Sequence, residues 1–453
     1  MTYMVNPSMD VRQTTLKRHA VLAERMNRVD SSPLRDIFKA ISSESIISFA
    51  GGLPANETFS LLPPGIRPGI ADSSALHNNA NITTQIEPLS SQKLVEANVS
   101  IDDSLYSNDF MAEVCQYGDS SGELWLREWV QTYLGGIDIK VDLSQILIVT
   151  GSQQGLDLAA KLLVDRSTNV AIESPTYLAA LQCFSLFGAG FVPLSTSDEH
   201  VEVCYLNPTF QNPTAKVYSH SERLAIADLC KIKQAVLIED DPYRELYYDD
   251  CCRTPICSLL GDDASWIYQS SFSKTIAPGF RVGFLAASSD LIPHLVKLKQ
   301  AADLHTSRLA QNALKPCLEN SFDERVEYLR GFYRKRRDGF QSVLVENFAD
   351  IADWELPAGG MFFWLKLRCR LSVSLTELFD LAMAEGVAFM PGEHFYPGGF
   401  YNEASSDSGQ NHNLSRETMR LNFTNVTTDS VEQGLPVLAG LIRKYRVSAQ
   451  TAG

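Results

Sequence analysis

The distribution of apolar and polar positions changes character several times along the chain. Up to Ser45 apolar residues are scattered among polar and basic ones, as in MTYMVNPSMDVRQTTLKRH, with no periodic face. This predicts an N-terminal arm over 1–45 that lies on another surface. The first apolar cluster, Ile46-Ile47-Ser48-Phe49-Ala50, predicts a short strand ending at Gly51-Gly52-Leu53-Pro54. Residues 71–109 are rich in Ser, Asn and Asp and predict a polar insertion on the surface. From Cys115 the pattern tightens into a helix over 122–134, the strand Ile146-Leu147-Ile148-Val149, and TGSQQG opening a second helix. Apolar runs recur at 169–172, 191–194, 201–206, 235–238, 266–269 and 282–287, mostly with helical patterns between them. Strands that alternate with helices predict an α/β fold with a mostly parallel, doubly wound sheet, here a large domain over 46–320. Beyond residue 320 a charged helix (324–347), a strand (361–367), a helix (375–385) and a strand (419–423) predict a smaller α+β domain over 321–453.

Composition narrows the function. The chain has 453 residues, 45% hydrophobic and 21% charged, the balance of an ordinary globular protein. A formal charge of −15 argues against nucleic acid as a partner, since phosphate backbones require a basic face. No apolar run is long enough to span a membrane, and the N-terminal residues lack the apolar core of a signal peptide. Nine cysteines, scattered apart from the Cys251-Cys252 pair and without a C-x-x-C pair, read as reduced, buried thiols of a cytoplasmic protein. The eight histidines form no H-E-x-x-H and no cluster with cysteines, so no metal site is expected.

Candidate chemistry gathers at the carboxyl ends of the predicted strands, where open α/β sheets bind ligands. Gly151, Ser152 and Gln153 stand at the mouth of a helix, whose N–H groups and dipole suit a phosphate; an ordinary capped turn fits the same residues. Glu239-Asp240-Asp241-Pro242-Tyr243 places acids after an apolar strand, either as partners of a buried cation or as loop caps. Asn207-Pro208-Thr209-Phe210-Gln211-Asn212-Pro213-Thr214 is a rigid proline loop from which Asn212 could donate a hydrogen bond. The stretch SSFSKTIAPGFRVGF sets Lys274 and Arg281 seven residues apart between two strands, where buried cations need an anionic or electrophilic partner.

Taken together, these motifs and their order resemble the fold-type I pyridoxal phosphate enzymes of the class I/II aminotransferase family, in the kynurenine, 2-aminoadipate and aromatic aminotransferase branch. The resemblance runs from about Ser32 to Phe423, and S-x-S-K-x-x-x-P-G-x-R-x-G is its most specific part. It implies that Lys274 forms the Schiff base with pyridoxal 5'-phosphate, while Gly151, Ser152, Gln153, Ser271 and Arg281 hold the phosphate. It further implies that Asp240 pairs with the pyridine nitrogen, that Tyr243 and Asn212 bind the ring hydroxyl oxygen, and that Tyr177 stacks on the ring. Tyr117 resembles the tyrosine that reaches the partner subunit's phosphate, which implies a homodimer with shared active sites. Arg420 resembles the arginine that binds the substrate α-carboxylate. The resemblance also puts Gly52, Asn212 and Phe362 on the substrate side, and Ser32-Pro33-Leu34-Arg35 in the branch's mobile arm. Arg35 either joins Arg420 in the pocket, which suits acidic side chains, or folds away, which leaves Phe362 and Tyr177 to suit aromatic or aliphatic ones. The implied reaction moves the amino group of an L-amino acid to a 2-oxo acid. A pyridoxal phosphate-dependent β-elimination lyase is the alternative, because both routes begin with deprotonation at Cα by Lys274. One departure stands out: the family's N-P-x-G reads Asn212-Pro213-Thr214-Ala215 here, with alanine where glycine serves the turn.

Other readings lack companions. Ser271-Phe272-Ser273-Lys274 is formally S-x-x-K, but neither S-D-N nor K-T-G occurs. A cofactor-sensing transcription regulator on this fold needs a whole DNA-binding domain before Gly51 and a basic surface, and neither is expected.

Overall fold

A computed structural model describes residues 46–59, 114–194, 200–261, 264–397 and 417–447, with Arg25 and Ala112 as isolated positions. The predicted arm (Arg25 aside) and the insertion over 71–109 lie outside the described residues, and Arg35 with them.

The strands, in chain order, begin with β1 (Ile47–Ser48), β2 (Ile146–Val149), β3 (Asn169–Ile172), β4 (Gly190–Pro193), β5 (Val203–Leu206), β6 (Val236–Asp240), β7 (Trp266–Ser271) and β8 (Gly283–Ala287). They end with β9 (Ala352–Asp353), β10 (Phe362–Leu367), β11 (Val387–Ala388), β12 (Met390–Pro391) and β13 (Thr418–Asn422). Seven of them form one sheet in the order β2-β8-β7-β6-β5-β3-β4. Every neighbouring pair runs parallel except that β8 is antiparallel to both β2 and β7.

The sheet is buried on both faces, which is why its strands read as continuous apolar runs rather than as alternating ones. Ile146, Ile148, Leu206, Leu237, Tyr268 and Phe284 pack into one core. Their chain neighbours Leu147, Val149, Tyr205, Ile238, Ile267 and Leu285 pack into the core on the opposite face. The helix Ser152–Leu163 sends Leu156, Leu158 and Ala159 into the second core, whereas Leu124–Gly135 sends Leu126, Val130 and Leu134 into the first.

A second, antiparallel sheet runs β12-β13-β10-β9. It shares a core with two helices, Lys315–Phe348 and Thr428–Lys444, through Tyr333, Phe340 and Leu344 of one and Val431, Leu435 and Leu438 of the other. The longer helix leaves helical geometry at Ser321 (φ −153°, ψ 16°).

Residues 46–59 are tied down along this second layer. β1 pairs with β11, Phe49 N–H donates to Ala388 O (2.8 Å), and Asn422 N–H donates to Phe49 O (2.7 Å). Thr424 Oγ1 donates to Leu53 O (2.8 Å), and Ala55 N–H to the Tyr333 hydroxyl (3.1 Å). These bonds bring the backbone of Ala50 to Gly52 over the carboxyl ends of the large sheet. All nine cysteines are unpaired, with Cys115 exposed and Cys204, Cys230, Cys257 and Cys317 buried.

Candidate active site

The loops after β2, β5, β6 and β7 leave the sheet at one end, and the candidate residues sit on them. After β2, Gly151 takes φ 75° and precedes a helix with no side-chain cap. Its left-handed backbone leaves the first N–H groups of that helix, on Ser152 and Gln153, facing outward. A Cβ on Gly151 would stand 2.5 Å from a guanidinium nitrogen of Arg281, so the arginine lies directly against the turn. A Cβ on Gly283 would stand 2.9 Å from Ser152 N, so β8 also needs glycine to approach so closely. Arg281 itself adopts φ 54° and donates to Pro278 O at 3.2 Å. Ser271 Oγ is buried, donating to Ser273 Oγ at 2.9 Å. Gln153 turns its side chain away and donates to Cys183 Sγ (3.1 Å). A helix mouth with an arginine against it, and a buried serine at the start of the loop that carries that arginine, could hold a phosphate-sized dianion.

Asp240 ends β6, buried. Its Oδ2 accepts from the Tyr205 hydroxyl (3.0 Å), while its Oδ1 is buried with no hydrogen-bond partner. Burial pushes its carboxyl up to about 7, with Gln269 and Tyr205 beside it holding the rise back and Asp241 adding to it. A buried carboxylate oxygen without a donor is costly unless a cation or an N–H arrives. Tyr205 and Asn207 are functional neighbours for which the sequence assigned no role. Asn207 Oδ1 accepts from Asn212 N–H (3.1 Å), its Nδ2 donates to the Asp240 carbonyl, and its N–H donates to Glu173 Oε2 (3.0 Å). That triangle fixes the Asn212 loop relative to Asp240. Asn212 Nδ2 then meets the Tyr243 hydroxyl at 3.4 Å. Tyr177 precedes the helix Leu178–Phe187 and is close enough to Tyr243, Asp240 and Arg420 to feel their charges; burial and the first two raise its hydroxyl pKa.

Lys274 is half-buried on the loop after β7, and its Nζ donates to Gly52 O (2.9 Å). Burial, then the charges of Arg420 and Arg281, lower its ammonium to about 8. Arg420 lies in β13 with 3% of its surface exposed. One guanidinium nitrogen donates to Asn212 Oδ1 (2.8 Å), another to Ala50 O (2.8 Å), and Nε is buried with no partner. Its carbon sits 4.2 Å over the ring of Phe362 and 4.9 Å over that of Phe395. Among the described residues no carboxylate lies within salt-bridge distance of it. Burial lowers it to about 10. Phe362, fully buried, is also edge-on to Tyr243 (5.9 Å), and a Cβ on Gly52 would press on its ring at 3.1 Å. Tyr117 stands apart, 76% exposed and edge-on to His305 (5.9 Å).

Residues 93–436 match the family model described as aminotransferase class I and II. The chain belongs to the class I and II aminotransferases. It is 30% identical to the aromatic-amino-acid aminotransferase 1 of Thermococcus litoralis, over 95% of this chain and 96% of that one. Among solved structures it is similar to LysN, the α-aminoadipate aminotransferase of Thermus thermophilus, which was solved with N-(5'-phosphopyridoxyl)-L-leucine (TM-score 0.74, 28% identity, 93% of this chain and 97% of that one). It is equally similar to the kynurenine aminotransferase of Pyrococcus horikoshii (TM-score 0.75, 27% identity, 93% and 97%). This aminotransferase therefore has the fold-type I architecture, depends on pyridoxal phosphate, and exchanges amino groups between amino acids and 2-oxo acids. The relatives named here are called transferases, none of them a β-elimination lyase. The orphaned Asp240 Oδ1, the open helix mouth beside Arg281 and the amine of Lys274 fit that cofactor's pyridine nitrogen, phosphate and aldehyde respectively.

Proposed function

We propose that Lys274 is the covalent anchor and proton carrier, and that Arg420 receives the α-carboxylate of the amino donor and then of the oxo-acid acceptor. The observation that carries this reading is the pairing of two cations that lack anions. Arg420 is buried against neutral oxygens and two ring faces, and Lys274 meets a single carbonyl. A guanidinium with an unused Nε under Phe362 and Phe395 offers a two-pronged grip to a carboxylate. Amines that lack that group should be poor donors.

When bound, pyridoxal phosphate supplies an aldehyde for amines and a ring that accepts electron density. The side chains supply the rest. With its ammonium near 8, Lys274 is neutral in about a tenth of molecules at pH 7, enough to act as nucleophile and to take a proton from substrate Cα. Asp240 would keep the pyridine nitrogen protonated by accepting a hydrogen bond from its N–H at Oδ1. Asn212 and Tyr243 hold the ring hydroxyl oxygen, Tyr177 covers the ring, and Gly151, Ser152, Gln153, Ser271 and Arg281 hold the phosphate. Gly52 and Phe362 bound the substrate side.

We further propose a large cofactor-binding part over 46–320, a smaller part over 321–453, and a cytoplasmic homodimer in which Tyr117 completes the neighbouring subunit's phosphate site. The exposure of Tyr117, together with that of Leu304 and Leu309 nearby in sequence to its contact His305, supports such a contact face. The relatives' names point to L-amino acids of the aromatic, kynurenine or 2-aminoadipate kind as first donors to try.

The test incubates holoenzyme with a panel of L-amino acids and no acceptor. Release of about one oxo acid per site followed by arrest is expected of a transferase. Continued release of ammonia and oxo acid from a β-substituted donor, with no transfer to any 2-oxo acid, would overturn the proposal in favour of elimination.

A further inference from the structure

We propose that Lys299 is a positioning residue that locks the Gly151–Gln153 turn in the shape that receives the cofactor phosphate. The inference rests on the reading of that turn as the phosphate site. Lys299 lies on the helix Ile292–Asp303, distant in sequence from the TGSQQG motif, with 0% of its surface exposed. Its Nζ is surrounded by oxygens: Gln154 Oε1 at 2.7 Å, Asp303 Oδ2 at 2.8 Å, Thr306 Oγ1 at 2.9 Å and Thr150 Oγ1 at 3.4 Å.

The choice of partners is what points to the turn. Thr150 and Gln154 are the residues immediately outside Gly151, Ser152 and Gln153. They are also clamped to each other, because Gln154 Oε1 accepts the Thr150 N–H (2.8 Å). Asp303 Oδ2 closes the ring by accepting from Thr150 Oγ1 (3.1 Å) and Gln154 Nε2 (2.8 Å), and Thr306 Oγ1 donates to Ile148 O (3.2 Å) on β2. The ammonium therefore grips both shoulders of a turn whose own N–H groups on Ser152 and Gln153 remain available. An apolar side chain would fill the same volume and pack the helix as well, since buried ion pairs seldom add net stability over hydrophobic replacements. What only the charged network supplies is a fixed orientation for Thr150 and Gln154. A preorganised turn binds a dianion more tightly because it has nothing left to reorganise.

The experiment compares two ligands that share a ring and an aldehyde but differ in the phosphate: pyridoxal phosphate and pyridoxal. Apoenzyme is titrated with each, in phosphate-free buffer, and dissociation constants are read from the absorbance change. Lys299→Met is expected to weaken pyridoxal phosphate about 10- to 100-fold and to leave pyridoxal within about twofold. Thr150→Val, which removes one hydroxyl and keeps the shape, should shift the same ratio in the same direction by less, and it remains readable if Lys299→Met does not fold. Arg281→Ala, which removes a proposed direct phosphate contact, serves as the reference for selective loss. Equal weakening of both ligands by Lys299→Met, or no selective loss in either Lys299→Met or Thr150→Val while Arg281→Ala shows one, would overturn the inference alone. Absence of selectivity in Arg281→Ala as well would overturn the phosphate reading and the inference with it.

Discussion

Two buried cations, Lys299 and Arg420, show opposite ways of keeping a charge inside a protein. Lys299 sits among four side-chain oxygens, one of them a carboxylate, and its network closes on itself. Arg420 has one amide oxygen, one carbonyl, two aromatic faces and a bare Nε. The first environment is finished before any ligand arrives. The second is complete only when an anion enters. On the proposed roles, the difference separates a residue that shapes the site from one that waits for substrate, although both are buried.

Mutations can press on this contrast from either side. The largest effect should come from Lys274, which shares the unfinished region. Lys274→Ala should lower kcat by about 10⁴-fold or more, measured with donor and acceptor both saturating, because on the proposed roles Lys274 is the base that acts at Cα. Next, Arg420→Met should lower kcat/KM for amino acids by roughly 10³-fold, the loss of a buried charge-assisted grip.

The two cations should then part company in stability. Lys299→Met strands Asp303 and should cost about 3 kcal/mol in urea unfolding of the apoenzyme. Arg420→Met removes a charge that has no counter-charge and should leave the midpoint unchanged or raise it. Equal losses in both variants would dissolve the distinction.

A smaller effect concerns protons. The Lys274 amine is reactive only when neutral, and its folded-state value near 8 lies below the ordinary lysine range. Capture of pyridoxal phosphate by apoenzyme should therefore rise about tenfold per pH unit below 8 and level off above it. In Arg420→Met one of the charges pressing on that amine is gone, so the inflection should move upward. The smallest effect belongs to Ala215, which holds φ 59° where glycine is at ease. Ala215→Gly removes a strain of about 1–2 kcal/mol and adds unfolded-chain entropy of about 0.5–1 kcal/mol, for a net gain near 0.5 kcal/mol.

Some of this architecture is legible in the sequence and some is hidden for definite reasons. The strand runs were readable because both faces of the large sheet are buried, and their ends moved by only a residue or two, as from 235–238 to Val236–Asp240. Lys274 and Arg281 were readable because a single short stretch carries both. The antiparallel direction of β8 left no local mark. Tyr205 reaches Asp240 across neighbouring strands, and that meeting depends on register (Tyr205 opposite Ile238), which no single strand encodes. The carbonyls of Ala50 and Gly52 act as backbone, so their side chains announce nothing. Lys299 reads as one more charge on a helix, and its partners are spread over Thr150, Gln154, Asp303 and Thr306. The break at Ser321 interrupts a helix that the sequence placed only from residue 324.

The antiparallel β8 has a consequence for how such an enzyme changes its taste. β7 and β8 form one hairpin, and Lys274 and Arg281 both lie on the connection between them. Arg420 and Phe362 belong to a different sheet, hung from β10 and β13. On the proposed roles, the reactive lysine and the substrate side chains stand on different elements that meet where Arg420 bonds Asn212 and Phe362 touches Tyr243. On those roles, substitutions in β10 or β13 would redirect the enzyme to new amino acids while the sequence of the reactive hairpin is passed on unaltered.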